Sequence, residues 1–270
     1  MKAAELYRAG DLAGAIAAAT DEVKRHAGDA APRGLLAELL CFAGDFERAD
    51  KQLDVISDLD PAAVLGTSLF RQLLRGEQAR QQFHAEGRLP EFLEPPSPCL
   101  KAHLEASIRI REGQAAEAAA LLDGVEQQRP ELHGACNGRP FDDLRDIDDL
   151  TASFFEVLTS TGKYYWIPME RVETIEFHEP ARPRDLLWRR AHMVVRGGPD
   201  GEVFLPVLYA GSQAAGDDRI RLGRMTAWEG GEAAPIRGLG QRIFVAGEED
   251  ISILELKRIT IAAPAGAAGE

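Results

Sequence analysis

The chain has no long apolar run: none of its 270 residues falls in a stretch approaching the roughly 20 apolar residues that a membrane-spanning helix needs. The opening residues, Met1-Lys2-Ala3-Ala4-Glu5-Leu6, enter a helical pattern at once. Gly10 and Asp11 interrupt anything resembling the apolar core of a signal peptide. No membrane partner is expected, and a cytoplasmic location is. Cysteine is scarce. Cys41, Cys99 and Cys136 are odd in number, widely spaced and form no Cys-x-x-Cys pair. This argues against a disulfide framework and a zinc knuckle, and predicts reduced, partly buried thiols. Basic residues are in deficit, 31 against 44 acidic, for a net charge of −13. A general nucleic-acid partner, which needs basic surface to displace counterions, is therefore not expected.

Catalytic signatures are missing too. There is no Gly-x-Ser-x-Gly, no Walker loop, and no Gly-x-Gly-x-x-Gly after a strand; Gly238-Leu239-Gly240 is too short for a phosphate cradle. The histidines, His26, His84, His103, His133, His178 and His192, show no helical ligand spacing and no adjoining nucleophile motif. No cofactor and no resident metal are expected. The one candidate for metal chemistry is the acidic run Asp142, Asp143, Asp146, Asp148 and Asp149, with Asp217 and Asp218 as distant additions. It lacks the Asp-x-Asp-x-Asp-Gly register of a calcium loop. Acids in a helix's first turn, favoured by the positive end of the helix dipole, explain it more simply. A metal-dependent hydrolase built on Asp142–Asp149 is the alternative function.

What the sequence does contain is a repeat. Ala9-Gly10-Asp11 returns 34 residues later as Ala43-Gly44-Asp45, and the same offset pairs Ala3 with Ala37, Leu6 with Leu40, Leu12 with Phe46 and Ala15 with Ala49. A 34-residue period is the mark of tetratricopeptide helix hairpins, whose small residues let two helices cross closely. Leu53 and Pro61 complete the second unit. Ala106, Gly113, Ala118, Leu122 and Pro130 form a third whose register slips by one. Between them, Ala62–Phe83 reads as a divergent hairpin with Val64, Leu65, Leu69, Leu73 and Leu74 at helical spacing, before Pro95-Pro96-Ser97-Pro98 breaks the chain. Residues 1–130 are thus predicted to be a tetratricopeptide-like stack. It offers either a groove for a helical peptide or a scaffold that packs on the rest. A carboxylate-clamp groove is not expected, because Lys2, Lys24 and Lys51 do not recur at the repeat period.

From Gly134–Pro140, a turn-rich boundary, the pattern changes. Asp146 or Asp148 should cap a helix with Ile147, Leu150, Phe154 and Leu158 on one face, Phe155 widening it and Gly162 ending it. Lys163–Pro168 should be a covered strand. Further strands are predicted at Glu173–Phe177, Trp188–Val195, Val203–Leu208, Met225–Trp228, Ile243–Val245 and Ile251–Leu256, with Pro206 placing one arm at an edge. The fold class is α+β: helical hairpins over 1–130, a mainly antiparallel α+β unit over 131–261, and a disordered tail over 262–270. Trp166 should be buried, and Asp146 or Asp148 should bond backbone amides.

The motifs of this second half resemble the ImpE family, also called TagJ, an accessory protein of bacterial type VI secretion systems. The landmarks are Gly138-Arg139-Pro140-Phe141, Asp146-x-Asp148, Gly162-Lys163-Tyr164-Tyr165-Trp166-Ile167-Pro168, Pro206-x-x-Tyr209-x-Gly211-Ser212, Leu222-Gly223-Arg224-x-Thr226-x-Trp228 and Gly238-Leu239-Gly240-Gln241-Arg242-x-Phe244. With the helical half in the family's order, the resemblance spans about residues 1–260. It departs from the family pattern at Thr161 and at Thr151-Ala152. The resemblance implies a non-enzymatic adaptor that binds the N-terminal helical segment of the small contractile-sheath subunit, linked through it to the AAA+ ATPase that recycles the sheath. A generic peptide-binding co-chaperone is a further alternative. Candidate partner-binding residues are Tyr164, Tyr165, Trp166, Phe155, Tyr209 and Trp228, which are otherwise core aromatics.

Overall fold

A computed structural model describes residues 2–263. Its first half is a run of helices: α1 (Ala3–Ala9), α2 (Leu12–Arg25), α3 (Ala30–Phe42), α4 (Phe46–Leu59), α5 (Val64–Glu86), α6 (Pro98–Arg111) and α7 (Ala115–Gln128). The 34-residue period has a mechanical cause. Gly10, Gly44 and Gly113 all adopt left-handed backbone, at φ 90°, 75° and 75°, where the chain leaves one helix for the next. Asp11 and Asp45 then cap the following helix by accepting from Gly14 N and Arg48 N. The third unit has Gln114 at that position and makes no side-chain cap bond. Ala15, Ala49 and Ala118, where paired helices cross, are wholly buried.

The expected hairpin over Ala62–Phe83 is instead a single helix, α5, preceded by a short 3-10 turn at Pro61–Ala63. No turn glycine with left-handed backbone interrupts it. Its buried face runs unbroken through Phe70, Leu73, Leu74, Gly76, Glu77, Arg80 and Phe83. Gly76 is needed for contact rather than for turning: a Cβ there would meet the Leu158 side chain at 3.3 Å and the Lys163 carbonyl at 3.4 Å.

The second half supplies β1 (Gly134–Cys136), β2 (Arg139–Phe141), β3 (Leu144–Asp146), β4 (Phe154–Leu158), β5 (Tyr164–Pro168), β6 (Val172–Phe177), β7 (Trp188–Val195), β8 (Asp200–Pro206), a short helix α8 (Asp218–Arg221), β9 (Thr226–Gly231), β10 (Ala234–Gly240), β11 (Ile243–Ala246), β12 (Glu249–Ser252) and β13 (Arg258–Ile261). Eight of the strands form one sheet in the order β2-β1-β13-β6-β7-β8-β4-β5, and every pairing within it is antiparallel. A second sheet, β12-β11-β3, and the hairpin β10-β9 complete the unit. The chain is α+β, as the sequence predicts.

Several local expectations change. The turn-rich boundary holds the β1–β2 hairpin. Pro206 ends a strand that lies between β7 and β4, not at an edge. The helix predicted from Ile147 to Leu158 is a 3-10 turn at Asp149–Thr151 followed by strand β4. The physical reason is two-sided burial: all five residues of β4 are buried, with Glu156 turned toward α5 and Phe155 toward Phe244 of the second sheet, 5.8 Å between ring centroids. An apolar run covered on both faces satisfies helical spacing and strand spacing alike. Gly162, at φ 80°, turns the β4–β5 connection instead of ending a helix. Of the predicted 262–270 tail, residues 264–270 lie outside the described residues.

One continuous core joins the halves, from Leu12 and Leu40 through Phe70 and Phe83 to Trp166, Phe244 and Ile259. Phe83 of α5 meets Trp166 of β5 edge-on at 4.8 Å, and Phe154 stacks on the same indole at 3.9 Å. Trp166 is 1% exposed, so the expected burial is met. The outer edge of β5 is closed by Glu91, whose N–H donates to Tyr164 O at 2.8 Å and whose carbonyl accepts from Trp166 N at 3.2 Å. Because Phe83 is the helical half's main aromatic contact with this strand, Phe83→Ala should lower the free energy of unfolding by about 3–5 kcal/mol. Urea titration measures it, and an unchanged midpoint would show that the ring does not join the halves.

Candidate functional site

Three side chains at one face of α5, Glu77, Arg80 and His84, reach the sheet. Their spacing of three and four residues places them in a row along the helix. Arg80 donates to Glu77 Oε1 at 3.1 Å, to Glu156 Oε2 of β4 at 2.9 Å and to the Leu208 carbonyl at 3.0 Å. Glu156 Oε2 also accepts from Arg242, which donates to Asp146 Oδ2 of β3 at 3.0 Å. The aromatic strand feeds the same cluster. Tyr164 donates its hydroxyl proton to Glu156 Oε1, and Trp166 Nε1 donates to the Tyr164 oxygen at 2.6 Å. Trp188 Nε1 of β7 donates to Glu77 Oε2 at 2.9 Å, and the Tyr209 hydroxyl to Asp146 Oδ1 at 2.7 Å. Arg80, Glu156, Asp146 and Arg242 are each no more than 2% exposed.

Electrostatics follow from the count of charges. Burial works to raise the Glu156 pKa, but Arg80 and Arg242 outweigh it and hold the carboxyl well below its ordinary value. Burial likewise works against the charged forms of Arg80 and Arg242, and the carboxylates around them prevail. Three acids (Glu77, Glu156, Asp146) face two guanidiniums, and the Asp146 carboxyl shifts upward. Burial raises it to about 6, against the pull of Arg242 and with Asp148 adding to the rise.

Four of the five aspartates in the acidic run are engaged structurally, and Asp142 stays exposed. Asp143 pairs with Arg129. Asp148 accepts from Leu150 N and Gly238 N, each at 2.9 Å, and from Arg237 Nε. Asp149 accepts from Arg145 at 2.8 Å and from Ile236 N at 2.7 Å. Asp146 also accepts from Asp148 N at 3.0 Å. The expected bonds to backbone amides are present, but they secure a 3-10 turn and the β9–β10 hairpin rather than a helix start. Among the described residues no group of three or more His, Cys, Asp or Glu is placed to hold a metal ion. Of the carboxylates that the hydrolase alternative draws on, Asp143, Asp146, Asp148 and Asp149 are thus bonded within the fold, and Asp142 is exposed. The distant pair is local too: Asp217 caps α8 and pairs with Arg219, and Asp218 pairs with Arg221 and accepts from Leu12 N.

Of the six aromatic candidates, Tyr164, Trp166, Phe155 and Tyr209 are each no more than 2% exposed, and their hydroxyls and rings are engaged in the seam and the core. Tyr165 is half-buried. Trp228, 41% exposed, leans edge-on against Tyr209 at 5.6 Å, directly across from Gly238. Sequence reading gave no place to Arg80 or Glu156 and met Arg242 only as part of a family landmark. Charged residues inside apolar runs were the available signal, Glu156 amid Phe154-Phe155 and Val157-Leu158 above all. It also missed a buried pair, His103 Nε2 to Ser153 Oγ at 2.7 Å, which joins α6 to the start of β4 and has Cys99 Sγ 3.3 Å from the same hydroxyl.

With this geometry in view, comparison with known proteins is direct. A family model described as ImpE protein matches residues 138–260, which hold every member of the seam except those on α5. The type VI secretion system accessory component TagJ of Pseudomonas aeruginosa is 30% identical over 259 residues, 96% of this chain and 90% of that protein. The chain belongs to the ImpE/TagJ family. The crystal structure of protein VPA1032 from Vibrio parahaemolyticus is similar throughout, with a TM-score of 0.89 at 27% identity, covering 96% of this chain and 97% of that one. At that coverage the likeness includes the helical half as well as the sheet half.

Two outcomes test the seam. Glu156→Gln leaves two buried guanidiniums without their shared charge and should cost about 3–5 kcal/mol in urea unfolding; a loss under about 1 kcal/mol would mean that the seam is not held by that carboxylate. The second is a pair of opposed pH slopes. Asp146, at about 6 in the folded chain against an ordinary 3.8, contributes stability that is complete below 3.8 and lost as the pH rises through 6. His103 is lowered by burial to about 4 from 6.5, despite Asp148; its contribution is complete above 6.5 and lost as the pH falls through 4. Relative to wild type, Asp146→Asn should therefore gain stability, and His103→Asn lose it, as the pH rises across this window. Parallel stability curves for wild type and variants would reject both assignments.

Proposed function

We propose that the protein is a non-enzymatic, cytoplasmic adaptor of a type VI secretion system, binding the N-terminal helical segment of the small sheath subunit and thereby acting on sheath assembly and its recycling by the AAA+ ATPase. The observation that carries this reading is the likeness to TagJ, named a type VI secretion system accessory component, along nearly the whole chain. The physical character of the molecule agrees. Stacked helix hairpins present surfaces for peptides and helices. Among the described residues no helix is long and apolar enough to cross a membrane. The titratable groups of the seam are locked to one another, and Glu156 spends both oxygens on Arg80, Arg242, His84 and Tyr164.

Isothermal calorimetry with a peptide of the sheath subunit's N-terminal segment should give saturable binding in the micromolar range, roughly −8 kcal/mol. Unrelated amphipathic helices should bind far more weakly. No heat at high micromolar concentration with folded protein would sink the reading. Equal binding of unrelated helices would favour a general peptide-binding co-chaperone.

A further inference from the structure

Most arginines near carboxylates in this acidic chain are paired: Arg71 with Asp50 and Asp54, Arg129 with Glu126 and Asp143, Arg171 with Glu94. Two neighbours on the loop between β6 and β7 are exceptions. Among the described residues Arg182 and Arg184 make no ion pair and no side-chain hydrogen bond, although Arg182 lies close enough for its charge to disfavour that of Arg184. Arg182 is exposed. Arg184 is half-buried, its guanidinium carbon 5.0 Å from the centre of the Phe70 ring. The Arg184 guanidinium is thus held against a ring with part of its surface open and no protein acceptor at its N–H groups, an arrangement that a carboxylate from a partner would complete.

The acids nearby are engaged or weakened. The Asp185 carboxylate accepts from the Ala181 and Arg182 amides, and Glu202 is taken by Arg190. Glu38, across on α3, is pushed up to about 7 by burial despite Arg184 and Arg182, so it carries only part of a charge at neutral pH. Glu179 stays exposed at the rim. Beside the two arginines lies a hollow of about 290 Å³ whose apolar walls are Leu69 and Leu73 of α5, Trp188 of β7 and Phe204 of β8. That volume suits one or two side chains rather than a whole helix.

We infer that this hollow receives an acidic segment of a helical protein partner: a partner carboxylate is forked by Arg182 and Arg184, and the apolar side chain beside it fills the space against Leu69, Leu73, Trp188 and Phe204. Planar guanidiniums suit a carboxylate by paired N–H donors, and two of them over an apolar floor select an acid next to an aliphatic or aromatic residue. The inference deepens the adaptor reading, on which it rests for the partner's identity, by giving the helical segment a docking point at the junction of α5 with the sheet.

Two probes separate the inference from that reading: the sheath subunit's N-terminal peptide, and a designed helix carrying leucine flanked by glutamates at positions four residues apart. Each is titrated into the full chain while the indole N–H resonance of Trp188 is followed by NMR. Binding of the sheath peptide with a Trp188 shift, weakened about tenfold by Arg182→Glu and further by Arg184→Glu, supports both the docking point and the adaptor. Arg182 is exposed, so its variant folds and decides the matter alone if Arg184→Glu does not fold. Leu69→Glu places a repelling charge on the floor and should weaken binding without touching either arginine. Sheath-peptide binding unaffected by all three changes overturns the docking point and leaves the adaptor standing. If the designed helix binds at Trp188 and the sheath peptide does not bind, the docking point stands and the adaptor reading falls. If neither peptide moves the Trp188 resonance, the docking point is overturned.

Discussion

Glu156 is one carboxylate shared by two guanidiniums from opposite parts of the chain, Arg80 on the longest helix and Arg242 after the β9–β10 hairpin. A charge buried to this degree is tolerable only when it is paired and its remaining lone pairs are bonded, and here His84 and Tyr164 meet the other oxygen. Once the pairing is imposed, much else becomes necessary. Helix α5 must lie across β4 and β5 at the height where residues 77, 80 and 84 face the sheet. Tyr164 and Trp166 must point toward that helix, and Arg242 must thread inward from the second sheet. A hydrophobic contact could tolerate a slip of one residue. A fork of donors on one carboxylate cannot.

The seam explains why the helical and sheet halves form one structural whole although only the sheet half carries the family's motifs. The apolar core is continuous across the junction, and Phe83 is packed on Trp166 beside the ion network. Area burial supplies most of the cohesion there, and the charges supply orientation. Around the rim of the same junction the chemistry relaxes, and Arg182 and Arg184 are left facing outward without acceptors. A molecule that holds its internal charges so tightly paired has its open cations where a partner can reach them.

The acidic run illustrates how a motif's meaning depends on its surroundings. Five aspartates within eight residues carry the composition of a metal site. In the folded chain Asp142 is exposed, the oxygens of the other four face Arg129, Arg145, Arg237 and Arg242, and Asp148 and Asp149 fasten the β9–β10 hairpin to the turn before β4 through the amides of Gly238 and Ile236. The arginines arrive from as much as 96 residues away in sequence. No local pattern announces them.

Local physics made part of this protein legible from residues alone. The glycine–aspartate pair repeated at 34 residues encodes a left-handed helix stop followed by a helix cap, interactions that span only a few residues, and so the hairpins at Gly10 and Gly44 could be read directly. The aromatic strand Tyr164–Pro168 was legible for a similar reason, since a turn glycine and alternating side chains are local signals. The family landmarks also lie in the sequence itself. Tertiary structure alone decided that Phe154–Leu158 is a strand, because both of its faces are covered and periodicity cannot distinguish two-sided burial from helical burial. It also decided that α5 is one helix, packed on α4 through Thr67 and Arg71 and on the sheet through Glu77, Arg80 and His84. The pairing within the seam was out of reach of the sequence, although Glu156 inside an apolar run was a sign of it. Pairing Arg80, Glu156 and Arg242 depends on distances between side chains 76 and 86 positions apart, and such distances exist only after the chain has folded.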